Sequence, residues 1–316
     1  MNAPLPSVPV AAEAVAAEGR ALARWAWLSI AAAIATIALK TLAWRLTGSV
    51  GLLSDAIESL VNLAAAVMTL WMLRVAARPP DEDHAYGHGK AEYFSSGVEG
   101  ALILVAAGGI AWTAIERLLA PQALEAPGLG IFVSGLATLV NLGAGLTLVR
   151  VGRRRHSIAL EADGHHLLTD VWTSIGVLVG VGLVVITGWR QLDPIVALLV
   201  AGNIVVTGIV LVRRSALGLL DTAFPAHDQA EIREVLSRHL APPLTAHAIR
   251  TRQAGTRRFV SMHVLVPGAW SVRDGHALCE RIEADLRAAL PRLTVDIHLE
   301  PLEEESSFRD QGLDRD

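Results

Sequence analysis

The chain has 316 residues, of which 52% are apolar, a net charge of −4 and a single cysteine. The apolar residues are gathered in the first two thirds of the chain, which excludes one compact soluble domain, and the lone Cys279 excludes an intrachain disulfide or a multi-cysteine metal site. The charges are segregated along the chain, so the small net value carries little information about partners.

Residues 1–19 have no basic segment ahead of an apolar one, so they read as a disordered start and not as a cleaved signal. Six apolar stretches of spanning length follow, near 22–45, 50–74, 91–119, 127–150, 157–187 and 192–212. Each is long enough to cross about 30 Å of hydrocarbon at about 1.5 Å per residue. The expected layout is a six-helix transmembrane domain over 20–215, a soluble domain over 216–302 and a disordered tail over 303–316. Arg20, Arg24, Arg74, Arg78, Lys90, Arg150, Arg153, Arg154, Arg155, Arg213 and Arg214 fall on one side of this layout. Only Arg45, Arg117 and Arg190 fall near span ends on the other. The positive-inside bias then puts both termini in the cytoplasm, with the basic clusters meeting anionic membrane lipid. Short loops and the lack of an organelle signal point to a bacterial inner membrane.

Two spans carry the same polar stripe. In SDAIESLVN, Asp55, Glu58 and Asn62 follow i, i+3, i+7; in ADGHHLLTD, Asp163, His166 and Asp170 do the same. Residues so spaced share one helical face. Counted from opposite ends of antiparallel helices, Glu58 and His166 both fall roughly 15 Å deep, near the midplane. Ionisable groups at that depth cost about 2.5–3.5 kcal/mol each on insertion scales, so they must be paired, hydrated or neutralised. A divalent cation does this well. Glu58, Asn62, His166 and Asp170 offer a mixed N/O tetrahedral set that suits zinc and is open to iron(II), cobalt(II) or manganese(II). The alternative is a metal-free polar cluster that glues the helices together. Asp55 and Asp163, one turn away, read as supporting or pathway residues. His165 points about 100° away from His166 and reads as a packing or interfacial residue. Glu99 is a further intramembrane acid with no partner legible in the sequence, and Asn141 and Asn203 read as helix–helix hydrogen-bonding amides.

The loop PPDEDHAYGHGKAE brings Asp81, His84 and His88 close together, a plausible surface zinc set beside the bland reading of a solvated loop. The soluble part reads α-β-β-α-β, a small sheet covered by helices on one face. On its last strand Asp296, His298 and Glu300 share a face opposite Val295, Ile297 and Leu299. The basic run RTRQAGTRR has no interleaved aromatics, so no nucleic-acid partner is expected.

Taken together, GSVGLLSDAIESLVN, DEDHAYGHGKAE, ADGHHLLTD and the soluble domain resemble the cation diffusion facilitator family over nearly the whole chain. The resemblance implies an α-helical membrane protein with a ferredoxin-like, metallochaperone-like α+β cytoplasmic domain that dimerises. It also implies a transport site on Glu58, Asn62, His166 and Asp170, and a loop site on Asp81, His84 and His88. A further site on the soluble domain falls on His247, His263, His276 and His298, with Glu300 in place of an Asp. Lys90 and Asp221 match a family charge pair that holds the subunits of a homodimer together. Zinc exporters of the family usually have Asp or His, then Asp, where this chain has Glu58 and Asn62. That oxygen-rich set is friendlier to iron(II) or manganese(II).

The expected function is therefore export of divalent transition-metal ions, zinc(II) or iron(II) first, with manganese(II), cobalt(II) and cadmium(II) within reach. Protons are the expected counter-substrate in an alternating-access secondary transporter, and no enzymatic activity is expected. A membrane-anchored metal sensor is the competing reading; it has no need of ligands at the midplane. An intramembrane metallohydrolase would want a signature such as H-E-x-x-H, which the chain lacks.

Overall fold

The computed structural model describes residues 9–47, 50–120, 128–189 and 191–309. Some side chains inside its helices, those of Asp55 and Glu58 among them, lie outside the description, so the placement of these two expected site residues is not given beyond their helix. Two compact units divide after Ala216.

In the first unit, six long helices follow one another among the described residues: α1 Pro9–Thr47, α2 Val50–Ala76, α3 Ala91–Leu119, α4 Gly128–Arg155, α5 Ile158–Thr187 and α6 Leu192–Leu219. The last three residues of α6, from Leu217, already belong to the second unit. Among the described residues, four segments are long and apolar enough to cross a membrane: Arg20–Leu42, Ala91–Leu119, Gly135–Arg155 and Leu192–Leu219. A shorter apolar segment, Asn62–Ala76, completes α2, and α5 opens with its polar half from Glu161 to Asp170. The chain is thus a multi-pass membrane protein. Helical backbone starts at Pro9, inside the segment expected to be disordered, because the run AAEAVAAE is built of strong helix formers.

Helices α4 and α5 meet backbone to backbone. A Cβ on Gly164 would stand 2.7 Å from the amide nitrogen of Val149, and one on Gly152 would stand 2.6 Å from that of Glu161. Only glycine allows this approach. It places the polar half of α5 deep inside the bundle, with Ala159, Leu160, Ala162 and Leu167 fully buried around it. The N-terminus of α5 is set by Ser157, whose hydroxyl accepts the Leu160 amide and donates to Glu92 at 2.5 Å, tying α5 to the start of α3.

The second unit consists of α7 Ala226–His239, β1 Thr245–Ala254, β2 Arg257–Val266, α8 Val272–Ala289 and β3 Leu293–Pro301, the α-β-β-α-β order expected from the sequence. The sheet order is β1-β2-β3, antiparallel between β1 and β2 and parallel between β2 and β3. Ile232, Val235 and Leu236 of α7 and Leu278, Ile282 and Leu286 of α8 pack on Val260, Met262, Val264 and Val295, so both helices cover one face. A capping box between Ser271 and Asp274 starts α8. Cys279 is buried on α8, and burial, with Glu283 and Glu280 beside it, pushes its thiol pKa up, as befits an inert packing residue. Residues 303–316 are not wholly a disordered tail: Glu305–Phe308 form a 3-10 turn, and the buried Ser307 donates to the Pro301 carbonyl at 2.8 Å.

The α4–α5 contact gives a direct test. Gly164→Ala forces a methyl group onto a neighbouring backbone, an overpacking that costs about 1–3 kcal/mol. Its thermal midpoint in detergent should fall below that of Gly143→Ala, where a Cβ meets nothing within 4 Å. Equal midpoints would mean that the two helices are not held this closely.

Candidate metal centres

Asn62 on α2 faces His166 and Asp170 on α5. His166 Nε2 lies 2.8 Å from Asn62 Oδ1, and Asn62 Nδ2 donates to Asp170 Oδ2 at 2.7 Å. One amide therefore bridges the imidazole and the carboxylate. Asn141, read from sequence only as helix glue, reaches from α4 and donates to the same Asp170 oxygen at 3.1 Å. Its contribution was invisible because nothing in the sequence pairs an amide on one helix with an acid on the next. Asn62 and His166 are buried and Asp170 is half-buried. Donors held about 2.0–2.2 Å from one ion at the tetrahedral angle stand about 3.3 Å apart. The 2.8 Å between His166 Nε2 and Asn62 Oδ1 needs only a small outward adjustment to admit a cation.

Around this centre lie further ionisable groups. Ser29 of α1 donates to Asp163 Oδ1 at 2.8 Å, and Thr69 of α2 donates to Glu99 Oε1 at 2.9 Å. Glu99, without a legible partner in the sequence, has its Oε2 at 3.7 Å from His166 Nδ1. Nearer the start of α5, Glu161 is clamped by Arg153 Nε of α4 at 3.1 Å and Arg214 Nη1 of α6 at 2.9 Å. His165 turns away from the centre toward Glu161, at 3.8 Å.

The α2–α3 loop gathers Asp81, His84 and His88 as the sequence suggested, with donor atoms close enough for one ion. His84 Nδ1 stands 3.0 Å from Asp81 Oδ1, and His88 Nε2 stands 3.3 Å from Asp81 Oδ2. The slight desolvation of Asp81 works against its charge. The hydrogen bonds from the His84 ring and amide outweigh it, so the carboxyl is held below its ordinary range and is ready to bind a cation without first losing a proton.

On the soluble unit, the open face of the sheet carries His247, His263 and His298 in one row: His247 pairs in register with His263, and His263 with His298. Their ring centroids are 5.3 and 5.1 Å apart. Glu300, two residues along β3, points the same way. Its Oε2 is 3.1 Å from His247 Nε2 and its Oε1 is 3.0 Å from His263 Nδ1. His298 Nε2 stands farther off, at 3.7 Å, and is exposed. A bulge follows His247, where Ala248 adopts a φ of 49°, and it turns β1 beside the site. A cleft of about 360 Å³ lined by His263, Asp296, His298 and Glu300 opens over it. Two imidazoles converging on one carboxylate fit a zinc-like ion. His276 does not join them. It lies exposed on α8, 3.8 Å from Glu280, because Gly275, Leu278 and Cys279 take the sheet-facing side of that helix. A third cluster, His227, Asp228 and Glu231 on α7, was not singled out from sequence; Asp228 there already pairs with Arg258 at 3.2 Å. Lys90 belongs to the first unit and Asp221 to the second, where Asp221 lies 3.5 Å from Arg252 Nη1.

The chain is similar to known proteins over most of its length. Residues 26–220 match the cation efflux transmembrane domain and residues 224–302 match the cytoplasmic domain of cation efflux proteins. An uncharacterized transporter of Synechocystis sp. is 49% identical over 285 residues, 90% of this chain and 92% of that one. The cation-efflux pump FieF of Klebsiella pneumoniae is 32% identical over 285 residues, 90% of this chain and 94% of the relative. The metal-bound C-terminal domain of the CzcD transporter from Thermotoga maritima is 32% identical over 25% of this chain and 92% of the solved chain, with a TM-score of 0.23. The chain belongs to the cation diffusion facilitator family of divalent metal cation efflux transporters.

If Asn62 holds the ion directly, Asn62→Asp adds a charge to the ligand set and should tighten zinc(II) binding by about tenfold or more, with smaller gains for iron(II) and manganese(II). If Asn62 serves only as a bridge between helices, affinities for all three ions stay the same in a folded variant.

Proposed function

We propose that this protein exports zinc(II) or iron(II) across a bacterial inner membrane in exchange for protons, as a homodimer with six crossings per subunit and both termini in the cytoplasm. The observation that carries this reading is the convergence of Asn62, His166 and Asp170 from α2 and α5 inside the bundle. Glu58, one turn from Asn62 on α2, completes the proposed ligand set. Such groups are costly in hydrocarbon unless they serve a cation, and a sensor domain outside the membrane would not require them.

Proton exchange has its root at the same atoms. His166 Nε2 donates to Asn62 Oδ1, so a cation takes Nε2 only when that proton leaves, to Nδ1 from a neutral imidazole or out of the site from a charged one. Rocking of the helices about this centre would open it to each side in turn. The loop set of Asp81, His84 and His88 and the sheet set of His247, His263 and Glu300 lie outside the transport path. We assign them to holding resident ions that support the dimer, with His298 flanking the sheet set and Lys90 and Asp221 as the subunit charge pair. His276 stays outside the set within one protomer.

The test is flux into proteoliposomes against a pH gradient, read with a zinc-sensitive dye and repeated with iron(II). The wild-type chain should accumulate metal only when the gradient is present, and Asp170→Asn should reduce the rate at least about a hundredfold while the protein stays folded, as removal of a first ligand exceeds the usual 10–100-fold cost of a supporting one. Wild-type flux in Asp170→Asn would remove the centre from the transport path, and flux indifferent to the gradient would remove the proton.

A further inference from the structure

We propose that Asn141 of α4 sets which ion the transport centre prefers. Its amide turns over when a cation arrives and adds an oxygen donor beside Asp170, which favours manganese(II) and iron(II) relative to zinc(II). The inference rests on reading Asn62, His166 and Asp170 as the transport centre, and it names a residue that decides the choice of ion there.

One oxygen atom, Asp170 Oδ2, accepts from two amides: Asn62 Nδ2 at 2.7 Å and Asn141 Nδ2 at 3.1 Å. The two amides differ at their other end. Asn62 Oδ1 is taken by His166 Nε2 at 2.8 Å. Asn141 is 5% exposed, and its Oδ1 is buried with no hydrogen-bond partner among the described residues. Buried acceptors are almost always satisfied, so an unused one beside a cation centre is a candidate ligand. A cation on Asp170 Oδ2 repels the amide hydrogens that point at that oxygen. A half-turn about the last side-chain bond of Asn141 exchanges Nδ2 for Oδ1 and leaves the outline of the side chain unchanged. The turn breaks the bond to Asp170, which the cation replaces, and no bond to Oδ1.

The spacing suits two ligands of one ion. After the turn, Oδ1 stands where Nδ2 stood, 3.1 Å from Asp170 Oδ2. Neighbouring oxygens held about 2.1 Å from an octahedral ion stand about 3.0 Å apart. Zinc(II) is content with four ligands, whereas manganese(II) favours larger oxygen-rich shells, so the added oxygen serves manganese(II) more. The fold keeps Asn141 in place. Gly145 lies one turn further along the same face of α4, where a Cβ would stand 3.0 Å from the Gly164 carbonyl oxygen and 3.0 Å from Leu168 Cγ. Helix α4 therefore runs directly against the segment of α5 that carries His166 and Asp170, and Leu148 on the same face is fully buried.

Manganese(II) and zinc(II) are titrated by equilibrium dialysis into the full chain in lipid nanodiscs, with the loop and sheet sets disabled by His84→Ala, His88→Ala, His263→Ala and Glu300→Gln. Asn141→Leu removes the oxygen and keeps the bulk. It should weaken manganese(II) binding at least about tenfold and zinc(II) binding no more than about threefold. Equal losses for the two ions, or no loss, overturn the proposal, because a merely structural amide treats both ions alike. If Asn141→Leu does not fold, Asn141→Ala is read by the same ratio. Asn141→Asp keeps an oxygen at that spot and should hold manganese(II) at least as tightly as the wild type; weaker manganese(II) binding in this variant overturns the proposal even if neither apolar variant folds. Asp170→Asn is titrated alongside. Wild-type affinities in Asp170→Asn sink the transport-centre reading itself, whereas loss of both ions there with unchanged selectivity in Asn141→Leu sinks only the role of Asn141.

Discussion

A charged or polar side chain inside a bilayer must find a partner, because each unanswered ionisable group costs about 2.5–3.5 kcal/mol even on lenient scales. The helical bundle is organised around that constraint. Ser29 with Asp163 joins α1 to α5, and Thr69 with Glu99 joins α2 to α3. Ser157 with Glu92 joins α5 to α3, and Ser215 with the Tyr93 carbonyl joins α6 to α3. Asn62, His166, Asp170 and Asn141 join α2, α5 and α4 at the centre. Most of these contacts cross between helices, so the polar residues that make the site also set how the helices pack. Because α4 and α5 touch through glycines, α5 has little freedom to rotate its polar face away.

The three candidate centres differ in how they are built. At the membrane centre, the candidate ligands come from separate helices and are linked by hydrogen bonds of the Asn62 amide, which a cation would replace. That suits an ion which must arrive and leave. On the sheet, His247, His263 and Glu300 are placed by strand register and a bulge, with the helices packed on the opposite face. That frame is rigid and suits an ion that stays. The loop set lies on an exposed turn in which Asp81 already accepts the His84 amide, so its shape exists before any metal binds.

Much of this was legible in the sequence because the relevant periods are short. An i, i+3, i+7 stripe specifies one helical face, and α2 and α5 indeed turn Asn62, His166 and Asp170 toward each other. Alternation along β3 likewise separated Asp296, His298 and Glu300 from the core side. What was not legible depends on rotations and on neighbours far apart in the chain. Glu99 meets His166 across two helices, which no local pattern encodes. Asn141 looked like any lone amide until α4 packed against α5. His276 was placed by resemblance, but it sits one residue from Gly275, about 100° round the helix from the side that packs on the sheet. Residues 303–316 read as disordered, yet one buried serine anchors a short turn there.

The central claim is that a metal ion is held inside the bundle by side chains of α2 and α5. Zinc K-edge X-ray absorption tests it most directly, on a full-length protein whose loop and sheet sets have been disabled by His84→Ala, His88→Ala, His263→Ala and Glu300→Gln. The account predicts one tightly bound zinc with a mixed oxygen and nitrogen shell at about 2.0–2.1 Å, including the scattering signature of a single imidazole, and loss of that signature in His166→Ala. A zinc shell without imidazole, or no bound zinc in a folded protein, would contradict it.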